Sequence, residues 1–212
     1  NASLSRLMIG AEPPQLQHRP AKLGEVALAV RGLALPKEDP FGTTLERIGF
    51  EVRAGEIVGI AGVSGNGQQE LMAALSGEDR RAPAGSVTLF GQDIAQASPA
   101  VPTLSLAHNV LLTRTEGVNR RTGWLDMAAI RAQSAELIRR FNVKAGGPES
   151  AAKSLSGGNL QKYLVGREIA ANPKLLIVSQ PTWGVDVGAA AQIRGELLAL
   201  RDAGCALLVV SE

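Results

Sequence analysis

Of the 24 glycines in this chain, three form a first group whose spacing could do chemistry. Gly62-Val63-Ser64-Gly65-Asn66-Gly67-Gln68-Gln69 follows the apolar run Glu56 to Ala61 and precedes Leu71, Met72 and Leu75 on one helical face. A glycine loop between a strand and a helix lets backbone N–H groups and the helix N-terminus surround a phosphate. A working loop of this kind reads G-x-x-x-x-G-K-[ST]. Its lysine meets the terminal phosphates and its hydroxyl holds Mg²⁺. With Gly62 and Gly67 in register, those two places hold Gln68 and Gln69. The residues therefore read equally well as a degenerate phosphate cradle or as a tight turn that packs strand on helix. A dinucleotide fingerprint, G-x-G-x-x-G, does not occur in the loop.

A second group is Leu155-Ser156-Gly157-Gly158-Asn159-Leu160-Gln161-Lys162. Ser156 with the N–H groups of Gly157 and Gly158 makes a helix N-terminal anion site. The plain alternative is a serine-capped helix start. A third follows the apolar run Lys174 to Ser179: Gln180-Pro181-Thr182-Trp183-Gly184-Val185-Asp186. Asp186 alone reads as an acid at a helix N-terminus. A fourth, Ser211-Glu212, follows the apolar run Cys205 to Val210.

These groups need elements to hold them. Strands are expected at Glu25–Leu35, Leu45–Val52, Glu56–Ala61, Ser86–Phe90, Lys174–Ser179 and Cys205–Val210, with Gly91-Gln92-Asp93 as a turn. Helices are expected over Gln68–Ser76, Leu104–Leu112, Met127–Phe141 capped by Asp126, Asn159–Ala171 with Leu160 and Leu164 inward, and Gly188–Ala203. Apolar strands alternating with helices imply a parallel sheet buried on both faces. In such a sheet ligands bind beyond the carboxyl ends of the strands, so Ala61, Ser179 and Val210 should end at one site.

Composition excludes several alternatives. Hydrophobic residues make up 45% and charged residues 20%, as in a globular domain and unlike a disordered chain. A net charge of +2 argues against a duplex binder, and Phe 4, Trp 2 and Tyr 1 are too few for a single-strand stacking platform. One cysteine and two histidines leave no disulfide framework and no Cys/His metal site. No apolar run reaches the length of a membrane span, and a reducing, cytoplasmic setting is expected.

Leu155 to Lys162 resembles the signature motif of ATP-binding-cassette (ABC) ATPases. Leu175 to Asp186 resembles that family's Walker B strand and D-loop. The resemblance covers about residues 22–212. It implies an α/β P-loop NTPase fold with a parallel RecA-like core sheet, an N-terminal antiparallel β subdomain and an inserted helical subdomain at about 104–165.

Residues 1–20, with Leu4-Ser5-Arg6-Leu7-Met8-Ile9-Gly10, resemble a linker from a preceding cassette. Residues 21–212 would be the nucleotide-binding domain, cut short at its C-terminus. The closest pattern is the second half of tandem ATPases in simple-sugar and nucleoside importers. The Gln180 form leans toward the nucleoside branch.

In active members the Walker B strand ends in Asp-Glu, where the Asp supports Mg²⁺ and the Glu polarises water. Here Ser179 and Gln180 stand there, and Glu212 stands at the switch-histidine position. Gly62 through Gln69 would be the nucleotide loop, Leu155 to Asn159 the signature, and Asp186 the D-loop acid. The resemblance also implies a loop with a Gln-like metal contact, but Ser98-Pro99-Ala100 meets Val101-Pro102-Thr103 without it. Phe41 reads first as core and second as an adenine-stacking residue.

The implied partners are a first cassette, a transmembrane permease and, indirectly, a solute-binding protein, with no nucleic acid. ATP and Mg²⁺ would serve the assembled transporter at the cytoplasmic face of the bacterial inner membrane. This domain's own site would bind them weakly, and the isolated domain would be inactive. A soluble ABC-type regulatory or nucleic-acid-associated ATPase without a permease is the alternative.

Overall fold

The computed structural model describes residues 22–38, 40–93, 106–111 and 126–211. The linker at 1–20, the junction at Ala100 and Val101, and Glu212 lie outside the described residues. Contacts divide the chain into two compact units.

One unit holds both sheets. β1 (Val26–Leu35) pairs antiparallel with β2 (Leu45–Arg53) and with β4 (Val87–Leu89). The short β5 (Gln92–Asp93) extends this sheet to the order β2-β1-β4-β5. The expected turn is therefore tighter: Phe90 and Gly91, both at positive φ, make it, and Gln92 and Asp93 already pair back. The second sheet is parallel, in the order β3 (Ile57–Ala61), β7 (Ala206–Ser211), β6 (Leu175–Ser179).

Helix α1 (Gln68–Ser76) contributes Leu71, Ala74 and Leu75 to a core shared with Leu28, Val30, Leu33, Val52, Leu208 and Val210. The alternation in β1 and the apolar run of β7 create that core, because burying each such side chain stabilises by roughly 1.5–3 kcal/mol. Burial of the parallel strands is nearly complete in central β7 only, where Val209 and Ser211 are half-buried. β3 is half-buried, with Gly59 exposed, since it is an edge strand among the described residues.

The other unit is helical: α2 (Leu106–Leu111), α3 (Met127–Arg140), α4 (Gly157–Ala170) and the start of α5 (Val187–Asp202). Asp126 caps α3 by accepting the Ala129 N–H at 3.0 Å. The buried face of α3 is Ile130, Ser134 and Leu137, spaced i, i+4, i+7. Tyr163 is fully buried; its hydroxyl donates to the Leu106 carbonyl at 2.6 Å and lies 3.0 Å from Ser134 Oγ.

Helix α4 corrects the sequence expectation. Leu160 and Leu164 are only half-buried, and the inward residues are Lys162, Tyr163, Val165, Gly166, Arg167 and Ile169. Gly166 decides this rotation. A Cβ there would come within 2.5 Å of the Phe141 ring, so the ring packs flat on the helix backbone. Among the described residues, no helix is long and apolar enough to cross a membrane.

Candidate functional site

The glycine loop leaves β3 at Ala61 and enters α1 at Gln68. Gly65 and Gly67 sit at φ +87 and +94, a left-handed backbone that L side chains rarely adopt. A Cβ at Gly67 would also meet Leu45 Cδ2 at 2.9 Å. Two residues that sequence reasoning missed brace the loop. Thr43 Oγ1 donates to the Gly65 carbonyl at 2.8 Å, and the Thr43 N–H donates to Glu70 Oε1 at 2.8 Å. The only available signal was a hydroxyl residue ahead of β2, which carries no loop information by itself.

Within the loop, Gln68 turns back on its own backbone. Its Nε2 donates to the Val63 carbonyl at 3.0 Å, and its Oε1 accepts the Asn66 N–H at 3.1 Å. Asn66 Nδ2 donates to the same Val63 carbonyl at 2.9 Å. Gln69 and Ser64 are exposed.

The three strand ends meet. Ala61 is in register with Ser211, and Ser179 with Val210. The Gly62 N–H donates to the Ser211 carbonyl at 3.3 Å, and the Gln180 N–H to the Val210 carbonyl at 2.8 Å. Gln180 is held at φ +49, an uncommon backbone for a non-glycine residue. Ser211 Oγ donates to Gln180 Oε1 at 3.4 Å. Loop, Gln180 and Ser211 thus form one polar mouth, in which neither Ser179 nor Gln180 brings a carboxylate.

In the helical unit, Ser156 stands at the N-cap of α4 with an extended backbone, and its hydroxyl makes no cap hydrogen bond. Instead Asn159 Nδ2 donates to Ser156 Oγ at 2.9 Å, while Asn159 Oδ1 accepts the Lys144 N–H at 2.8 Å. The plain serine-cap reading fails on this point. Ser156 and Gly157 are exposed, and Leu155 is half-buried beneath them.

Gly158 faces the segment that precedes α5. A Cβ on it would lie 2.5 Å from the Gly184 carbonyl oxygen. One turn on, Lys162 Nζ sits 3.0 Å from Asp186 Oδ2. Asp186 Oδ1 also accepts the Ala189 N–H at 2.8 Å and so caps α5. The Ala189 N–H first, and Lys162 second, hold its carboxyl below the ordinary value.

Trp183 and Val187 flank this turn as exposed apolar side chains, and sequence reasoning had assigned Trp183 nothing. Phe41 is 98% exposed, so its reading as core is wrong. It lies in the irregular stretch between β1 and β2, beyond the reach of the packed strands. Among the described residues no group of three His, Cys, Asp or Glu side chains is placed to hold a metal.

Residues 45–183, more than half of the chain, match the ABC transporter family model. The chain is 37% identical to the nucleoside import ATP-binding protein NupA of Lactococcus lactis subsp. cremoris, covering 100% of itself and 46% of that protein. It is 36% identical to the guanosine import ATP-binding protein NupO of Bacillus subtilis, covering 98% and 44%. It is 35% identical to the xylose import ATP-binding protein XylG of Burkholderia ambifaria, covering 97% and 43%. The chain therefore spans less than half the length of these curated relatives.

A dimeric bacterial ABC transporter cassette superposes with TM-score 0.71 at 19% identity, covering 87% of each chain. A cassette in a post-hydrolysis state bound to ADP and Pi superposes with TM-score 0.68 at 20% identity, again covering 87% of each. At that identity the likeness shows the fold, a P-loop α/β cassette with an antiparallel β subdomain. Family match and fold agree, and the chain belongs to the ABC transporter family.

Proposed function

We propose that residues 21–212 are the second, degenerate cassette of a tandem ATP-binding subunit, with residues 1–20 as the linker from the first. In this reading the subunit drives import of a nucleoside or simple sugar through a membrane permease, fed by a solute-binding protein. It acts at the cytoplasmic face of the inner membrane. The printed names of the relatives, which cover nucleoside, guanosine and xylose import, support this solute class.

One contrast carries the proposal. The signature string is complete, with Ser156 and Gly157 exposed at the start of α4, whereas the chain's own nucleotide loop has Gln68 in place of its cation. The chain's own site also fits Mg²⁺ poorly. Magnesium takes oxygen ligands, commonly one or two carboxylates with substrate phosphates, and Gln69, Ser179 and Gln180 supply no carboxylate. No catalytic step is assigned to it. A neutral amide at Gln180 orients water but does not take its proton, and losing a general base costs about 10²–10⁴ in rate.

The work of this domain then lies at the first cassette's site. There Ser156 Oγ and the N–H groups at the start of α4 donate to oxygens of the terminal phosphate of ATP bound by the first cassette. As water attacks and ADP leaves, these fixed donors stabilise the charge on the transferred group. Removing one such donor costs about 10²–10³ in turnover.

The test uses the full tandem subunit with its permease in vesicles. Ser156→Arg is expected to abolish ATP hydrolysis and solute uptake together, because the long cation fills the phosphate position. Gln180→Ala is expected to leave both largely intact. Loss of uptake on Gln180→Ala with Ser156→Arg active would reverse the roles of the two sites.

A further inference from the structure

We propose that Gln68 decides what the phosphate loop accepts by occupying it: the side-chain amide stands where an anion would, and the loop is closed on itself. The inference rests on the reading of this site as degenerate and supplies its physical cause. Loss of a lysine alone would leave an open cradle of N–H groups, weak but available. The structure shows one of those N–H groups, that of Asn66, already taken by the Gln68 side chain.

Gln68 Oε1 accepts the Asn66 N–H at 3.1 Å, which is what a phosphate oxygen would do in this loop. Gln68 Nε2 donates to the Val63 carbonyl at 3.0 Å, drawing the amide across the opening. A Cβ placed on Gly62 would meet Nε2 at 3.1 Å, so the amide lies against the first glycine of the loop. Asn66 Nδ2 on the same Val63 carbonyl and Thr43 Oγ1 on the Gly65 carbonyl hold the backbone in the shape that Gln68 fits.

A phosphate must break both Gln68 bonds before it enters. It gains no cation in exchange. The apparent affinity of a site is its intrinsic affinity reduced by the fraction of molecules in the open form. Two net hydrogen bonds hold that fraction at about one in ten or below.

An unusual sign follows. Shortening Gln68 to alanine removes a polar side chain from a phosphate loop and yet should tighten anion binding. The experiment titrates the 212-residue chain with pyrophosphate and with Mg-ATP by calorimetry, for wild type, Gln68→Ala and Gln68→Glu. Amide hydrogen exchange at Asn66 is followed by NMR on the same samples.

Gln68→Ala is expected to bind pyrophosphate about tenfold more tightly than wild type and to lose protection at the Asn66 amide. Gln68→Glu keeps an acceptor for that amide and adds a negative charge, so it should bind more weakly than wild type. A loop closed by its backbone alone would leave pyrophosphate binding by Gln68→Ala at the wild-type level.

Equal or weaker pyrophosphate binding by Gln68→Ala overturns the inference. Unchanged Asn66 exchange in that variant overturns it too. Tight Mg-ATP binding by the wild-type chain overturns the degenerate-site reading and this inference with it. Weak Mg-ATP binding by wild type with no gain in pyrophosphate affinity in Gln68→Ala overturns this inference alone.

Discussion

Lys162 and Asp186 form an ion pair of unequal partners: the lysine side chain is 9% exposed, the aspartate 66%, and Nζ to Oδ2 is 3.0 Å. The pair ties α4 to the turn ahead of α5. It lies within one compact unit, so it moves with both segments. The inequality sets which substitution does more harm. Asp186→Ala leaves a charged amine buried without this partner and removes the cap on the Ala189 N–H. A lost cap costs about 1 kcal/mol, and a buried charge stripped of its partner adds to it. Lys162→Met leaves an exposed carboxylate that keeps its cap. Urea unfolding should show Asp186→Ala destabilised by about 2–3 kcal/mol and Lys162→Met by about 1 kcal/mol or less. The reverse order would mean that Asp186 is not the lysine's main support.

The same carboxyl sets a pH response. Its folded-state pKa lies below the ordinary 3.8, chiefly through the Ala189 N–H and then Lys162. A depressed acid contributes stability that is complete above its unfolded pKa and is lost as pH falls through the folded pKa. The contribution of Asp186 should therefore be constant at neutral pH and fade below about pH 4. Comparing unfolding of wild type and Asp186→Asn from pH 7 to pH 3 measures it. The gap between them should narrow on acidification, and a gap that widens would contradict the assigned partners.

Two adjacent glycines at the start of α4 should respond in opposite directions. A Cβ on Gly157 meets nothing within 4 Å, whereas one on Gly158 meets the Gly184 carbonyl at 2.5 Å. Alanine at 157 relieves the backbone-entropy penalty of a helical glycine, up to about 1 kcal/mol. Alanine at 158 forces two backbones apart and should cost about 1–3 kcal/mol. Thermal melts of Gly157→Ala and Gly158→Ala should fall on either side of wild type. Equal melting temperatures would show that the helix start is free to move from Gly184.

Cys205 begins the run into β7 and is 4% exposed. Burial pushes its thiol pKa up to about 11. The thiolate is the reactive form, so at pH 8 the native chain should not react with a disulfide reagent on the time scale of a small-molecule thiol. Reactivity should appear with unfolding as urea is raised. Fast labelling without denaturant would mean that β7 opens locally.

Much of the scaffold is legible because its cues are local. Apolar runs at β6 and β7, the glycines between β3 and α1, and Asp126 ahead of α3 each act on neighbours within a few residues. Backbone sterics and capping operate at that range. Gly67 permits the left-handed backbone at the turn into α1, and Asp126 reaches an N–H three residues on. The meeting of three strand ends was also accessible, since parallel strands joined by helices leave their carboxyl ends on one side.

What the sequence alone determined is therefore the order of elements and the residue types at each strand end, including the neutral side chains Gln68, Ser179 and Gln180. Tertiary structure decided the rest. The inward face of α4 is set by Gly166 accepting the Phe141 ring, a contact 25 residues apart in sequence. Helical periodicity had pointed to Leu160 and Leu164, because it weighs apolarity along one helix and has no knowledge of a flat neighbour. Thr43 reaches Gly65 across 22 residues, and Lys162 reaches Asp186 across 24. Gln68 could have pointed to solvent. It lies in the loop because Asn66 and Val63 present a donor and an acceptor at the spacing of one amide, and a backbone offers that spacing only once it is folded.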